Sequence, residues 1–135
     1  MKCVIVIERT LPKGLATNTA AVLSISLGAQ LKYVVGSDVT DASGGQYPGL
    51  VHIPIPILSS AESEIKHIRG VAVDKEGTGL LHVAVTDVAQ RSKNYADYVA
   101  DMSKSDPNSI RYLGIALYGS KKLITSITGD LPLYR

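Results

Sequence analysis

The stretch from Lys2 to Leu31 constrains this chain most. A strand-like run, KCVIVIE, enters a polar elbow, RTLPKGLATN, and continues into TAAVLSISLGAQL, a helical segment that is apolar nearly all round. A helix apolar on every side must be buried. The elbow is then held rigidly at the C-terminal edge of a strand, where α/β proteins most often place their chemistry. The reading predicts a first strand over about residues 2–8 and a first helix over about 18–31, with Thr17, Asn18 or Thr19 as N-cap. Small residues at Ala20, Ala21, Ser24, Ser26 and Gly28 allow close backbone approach.

Beyond this unit, strand-like apolar runs alternate with segments of helical spacing, which predicts one α/β domain over the 135 residues. A second strand is expected over about 50–58, with Val51, Ile53, Ile55 and Ile57 on one face. Pro54 and Pro56 both lack N–H groups on the same side, so this strand belongs at a sheet edge. Ser59 and Glu62 have capping-box spacing and open a helix to about residue 74 with Ala61, Ile65, Ile68 and Ala72 inward. A third strand follows over about 80–87, then a helix near 92–104 with Tyr95, Tyr98, Val99 and Met102 on one stripe. Asp106-Pro107-Asn108 reads as a turn. The last strand is expected over 112–118, with Ser120 capping a short helix to about 128.

The loop over 36–49 is long enough to be unusual. Asp38 and Asp41, with Ser37, Thr40 and Ser43, lack the ligand pattern of a calcium loop. Asx-type turns that stabilise the loop internally explain them better.

Composition narrows the function classes. A net charge of +2 is too small to draw nucleic acid by long-range attraction, and the absence of Phe and Trp argues against an aromatic stacking platform. The single cysteine, Cys3, lies in an apolar run and reads as core, which excludes a disulfide framework within the chain. No apolar stretch approaches the roughly 20 residues of a membrane span. The expectation is a cytoplasmic protein with no membrane association. His52, His67 and His82 show no metal-ligand spacing, and no Ser-His-Asp order is visible, so neither a metal nor another cofactor is expected.

Candidate chemistry concentrates at the C-terminal edge of strands one and three, taken as parallel neighbours. One elbow offers Glu8, Arg9, Lys13, Thr17, Asn18 and Thr19, and the other offers Asp87 and Gln90. Backbone N–H groups and hydroxyls at a helix N-terminus suit a phosphate, carboxylate or oxyanion. Asp87 would orient water or accept a proton. The competing reading has Thr17 to Thr19 capping the helix while Asp87 pairs with Arg9 or Arg91, or caps a turn. A possible second anion site is Gly119-Ser120-Lys121-Lys122, where two cations in a first helical turn oppose the helix dipole. With an antiparallel last strand, that site lies at the opposite sheet edge from Asp87.

The segments NTAAVLSISLG, VGSDVTDASGGQYPGLVHIPIPIL, LGIALYGSKK and TGDLPL, in this order, resemble the hallmarks of an uncharacterised microbial family, domain of unknown function 2000. That family is similar in fold to type 2 peptidyl-tRNA hydrolases. The resemblance implies a three-layer α/β/α architecture with a mixed four-stranded sheet whose final strand runs antiparallel to the others. In those hydrolases the elbow reads Gly-Lys-Gly-Lys and supplies a catalytic lysine. Here it reads Gly14-Leu15-Ala16-Thr17, with Lys13 before the glycine. Asp87 of Asp87-Val88-Ala89 matches the hydrolases' aspartate, and Thr128-Gly129-Asp130-Leu131 is similar to their C-terminal motif. An extra helix is expected between the last two strands. Two functions follow: a module binding a small anionic or nucleotide-linked ligand at the first elbow, or a hydrolase of a tRNA-linked substrate using Asp87. A homo-oligomer would use helix faces or the region of Tyr95 and Tyr98.

Overall fold

The computed structural model describes residues 1–135. Strand β1 (Lys2–Glu8) leads through a short elbow to α1 (Lys13–Gly28), then to a small hairpin of β2 (Val39–Thr40) and β3 (Gln46–Tyr47). Strand β4 (Ile57–Ser60), α2 (Glu62–Asp74) and β5 (Leu81–Thr86) follow. Two helices, α3 (Asp87–Arg91) and α4 (Tyr95–Lys104), separate β5 from β6 (Tyr112–Gly119), and α5 (Lys121–Thr128) closes the order. The main sheet has the order β4-β1-β6-β5. β1 pairs parallel with β4, and β6 pairs antiparallel with both β1 and β5.

Alternation along β1 divides the core. Cys3, Ile5 and Ile7 pack with Ala16, Leu23 and Leu27 of α1 on one face. Val4 and Val6 pack with Ile65, Ile68 and Ala72 of α2 and Ile124 of α5 on the other. The result is helix, sheet, helix, with β1 and β6 central and buried on both faces. Burial pushes the Cys3 thiol pKa up, as fits a core cysteine.

Several boundaries differ from the sequence expectation. α1 begins at Lys13, with Pro12 as its N-cap, so Thr17, Asn18 and Thr19 lie inside the helix instead of capping it. Nor is the helix buried all round: Ala16, Thr19, Leu23 and Leu27 face the sheet, whereas Val22 and Ile25 are exposed. The strand expected over 50–58 shortens to β4, which starts after Pro56, because the two prolines cannot donate to a ladder. It is an edge strand, as the prolines require. Ser59 and Ser60 belong to β4, and α2 starts from Ala61 without a side-chain cap. Glu62 instead accepts the backbone N–H of Tyr112 at 3.0 Å and ties α2 to β6. A further short helix, α3, follows β5 where the sequence reading placed only an elbow, and the helix expected near 92–104 is α4, which starts at Tyr95 because Asn94 caps it by accepting the Asp97 N–H. Of its tyrosine stripe, Tyr98 and Met102 reach the core while Tyr95 and Val99 stay exposed.

The long loop is organised by Asp41. Its carboxylate accepts the N–H groups of Ser43 and Gly45 and the hydroxyls of Ser43 and Tyr47. The Gly45 N–H, then the Ser43 and Tyr47 donors, hold the Asp41 pKa at about 2. Because the folded value lies below the ordinary carboxylate range, the contribution is present above about pH 4 and lost as pH falls through about 2. The Ser43 and Gly45 amide resonances are expected to hold position from neutrality to about pH 3 and to move toward loop values as pH falls through about 2. An Asp41→Asn variant is expected to show no such transition.

Candidate functional site

The two elbows do not meet as neighbours. β1 and β5 run in the same direction, but β6 lies between them, so Glu8 and Thr86 sit two strand spacings apart, roughly 10 Å. Each elbow is closed on itself. The buried Glu8 carboxylate accepts the Thr10 N–H at 3.0 Å and the Thr10 hydroxyl at 2.7–2.8 Å. Asp87 spends both oxygens: Oδ1 accepts the Arg111 N–H at 3.0 Å and Oδ2 pairs with Arg91 at 2.9 Å. The Asp87 N–H also donates to the Arg111 carbonyl at 2.9 Å, so this residue clamps the start of α3 to the segment entering β6.

What does converge is a pocket of about 350 Å³ between α1 and α3, at the C-terminal end of β5. Asn18 and Thr19 line it from α1, Ala89 and Gln90 from α3, and Leu15, Val22, Val85 and Leu113 complete the wall. Helical arithmetic explains the selection. Leu15, Asn18, Thr19 and Val22 are spaced by three and four residues and form one stripe. Lys13 and Thr17 fall on the other side of the helix, exposed, and the Thr17 hydroxyl is spent on the Lys13 carbonyl at 2.7 Å. Arg9 is exposed and does not line the pocket. The pocket therefore gathers Asn18, Thr19 and Gln90 from the predicted set and leaves out Arg9, Lys13, Thr17 and Asp87.

Leu113 reaches this pocket through a β-bulge. Thr86 pairs with Tyr112 while Val85 pairs with Gly114, which leaves Leu113 as the extra residue. The bulge turns Leu113 and Gly114 toward α1, whereas regular alternation would send one of them to the opposite face. Gly114 then lets α1 approach: a Cβ there would lie 2.9 Å from Thr19 Cγ2 and 3.0 Å from the Val6 carbonyl oxygen.

Pocket chemistry is neutral. Two carboxamides, each with donors and an acceptor, stand over an apolar wall, and no charged side chain takes part. The Thr19 hydroxyl is buried and has no hydrogen-bond partner, as is that of Thr86. A longer groove of about 440 Å³ adjoins the pocket through Val22, Val85 and Ala89 and runs along β5 toward Tyr95 and Tyr98. The second candidate, at Ser120, Lys121 and Lys122, lies at the opposite sheet edge, as the antiparallel β6 requires. There the Ser120 hydroxyl caps α5 by accepting the Leu123 N–H at 3.2 Å, and both lysines are exposed. His52 contacts the Tyr33 carbonyl and His82 contacts Glu76, and neither approaches the pocket.

A family model described as a protein of unknown function, DUF2000, matches residues 1–135. No curated protein matches the chain. Among solved structures, the chain is similar to Atu0240, a protein of unknown function from Agrobacterium tumefaciens strain C58. The TM-score is 0.88 at 19% identity, covering 99% of this chain and 97% of that one, a likeness of fold. No helix is long and apolar enough to cross a membrane.

Proposed function

Since the chain belongs to the DUF2000 family of proteins of unknown function, we propose from its geometry that it is a binding module for a small uncharged ligand carrying amide-like donor and acceptor groups. The observation that carries this reading is the pairing of Asn18 and Gln90 on one pocket that contains no charged side chain. Its volume of about 350 Å³ lies within the usual range for small-molecule sites. A carboxamide pair matches an amide or the edge of a nucleobase, both of which present donors beside acceptors. An anionic group has less to bind here, because Arg9 and Lys13 do not line the pocket and α1 presents its free N–H groups about a turn before Asn18. A nucleotide-linked ligand would therefore be held by its base.

The test is affinity for small primary amides and nucleosides, read beside matched carboxylates and nucleoside monophosphates. Asn18→Leu and Gln90→Leu are each expected to weaken binding about tenfold or more, equivalent to about 1.4 kcal/mol. Equal affinity in the wild type and both variants would refute the assignment. The resemblance to peptidyl-tRNA hydrolases supports a second reading, in which Asp87 at the end of β5 acts as acid–base group. Cleavage of a peptidyl-tRNA that disappears in folded Asp87→Ala would favour it. The clamp geometry instead predicts a loss of stability of about 1–3 kcal/mol in that variant.

A further inference from the structure

The two edges of the main sheet are treated differently. The β4 edge is covered by the chain's own C-terminal residues: the Ser59 N–H donates to the Pro132 carbonyl at 2.9 Å and the Tyr134 N–H to the Ile57 carbonyl at 2.8 Å. Leu58 and Leu133 form the intervening antiparallel bridge. The β5 edge has no such cover. Leu81 to Val85 pair with β6 on one side, and no other hydrogen bond engages their backbone. An edge strand normally carries Lys, Pro, an inward charge or a covering loop against pairing with another chain. LHVAVT has no acidic residue, lysine, arginine or proline.

We propose that the β5 edge is a self-association surface, and that two copies of the chain pair β5 antiparallel across a two-fold axis into one eight-stranded sheet. Three features select a second copy as occupant. The strand is self-complementary: a two-fold axis at Ala84 sets Ala84 opposite Ala84, Val83 opposite Val85 and His82 opposite Thr86 of the second copy, each pair on one face, so no like charges meet. Apolar side chains already border the edge. Val22 is 42% exposed and Tyr95 is 77% exposed, and both line the groove that runs along Val83, Ala84 and Val85. The geometry also closes, because the β4 edge is occupied and each molecule has one free edge to offer. Isologous pairing then stops at two copies, whereas two free edges would allow open fibres.

The experiment measures mass and amide exchange on the full chain, independently of any ligand. Sedimentation at tens of micromolar is expected to give twice the 14.3 kDa chain mass. Backbone amides within Leu81 to Val85 are expected to exchange at least tenfold more slowly there than at high dilution. Ala84→Lys, which brings two cations to the seam, is expected to sediment as a folded monomer. If that variant fails to fold, the wild-type exchange comparison decides alone. A wild type that stays monomeric overturns the proposal. So does a dimer whose β5 amides exchange at the dilute rate, a dimer that persists in folded Ala84→Lys, or protection of β5 by an added extended peptide and not by concentration.

Discussion

Leu23→Ala is expected to destabilise the fold by about 2–5 kcal/mol, the range for truncating a fully buried leucine. Leu23 is completely buried on the sheet-facing side of α1, in the cluster with Ile5, Ile7 and Ala116. α1 is held there by one stripe of Ala16, Thr19, Leu23 and Leu27, and its outer residues Val22 and Ile25 contribute little burial. Leu23 is the largest side chain at the middle of that stripe, so its loss opens a cavity where the helix cannot collapse without moving Thr19. Chemical denaturation with an unchanged m-value is the direct measurement. A cost below about 1 kcal/mol would mean that the α1 face is packed far more loosely than the structure has it.

Gly114→Val is the second large effect, and it works by the opposite mechanism. The Cβ of any residue at 114 would meet Thr19 Cγ2 at 2.9 Å, Leu23 Cδ1 at 3.0 Å and the Val6 carbonyl oxygen at 3.0 Å. The first two contacts belong to side chains on a helix, but the third is backbone of a central strand and has no freedom to give. Alanine here is expected to cost about 1–3 kcal/mol by overpacking, and valine more, enough to threaten folding. The pair also predicts a coupling. Leu23→Ala removes one of the atoms that Gly114→Ala would strike, so the double variant is expected to be more stable than the sum of the singles by about 0.5 kcal/mol or more. Strict additivity would show that Thr19 and Val6, not Leu23, take the clash.

The sequence made the layers readable because β1 alternates cleanly between two sets of apolar partners and because α2 and α5 carry regular stripes. It misplaced the start of α1 because Lys13-Gly14-Leu15-Ala16 looks like elbow: two exposed polar or small residues hide a helix whose start signal is Pro12. That shift decides the site. Starting at 13 turns Thr17 from a cap into an outward residue and places Asn18 and Thr19 on the stripe facing α3. Strand order was not legible either, since nothing in LGIAL says that β6 inserts between β1 and β5, and with it goes the meeting of Arg9 and Asp87. The bulge at Leu113 left only Gly114 as its trace. The remaining pocket residues, Leu15, Val22, Val85, Ala89 and Leu113, were passed over because an apolar wall of a pocket and an apolar wall of a core have the same composition. Asn18, Thr19 and Gln90 were legible as candidates, though for an anion, and the structure groups them without the cations that such a ligand needs.

The neutral pocket between α1 and α3 is tested most directly by side-chain and backbone amide resonances during titration with a set of small uncharged amides and nucleosides. Binding at this pocket moves the side-chain NH2 signals of Asn18 and Gln90 together with the backbone signals of Thr19, Ala89 and Leu113, and leaves Arg9, Lys13 and Asp87 in place. Perturbations centred on Arg9, Lys13 or Asp87, or a full set of uncharged ligands that leaves Asn18 and Gln90 unmoved while an anion binds, would contradict it.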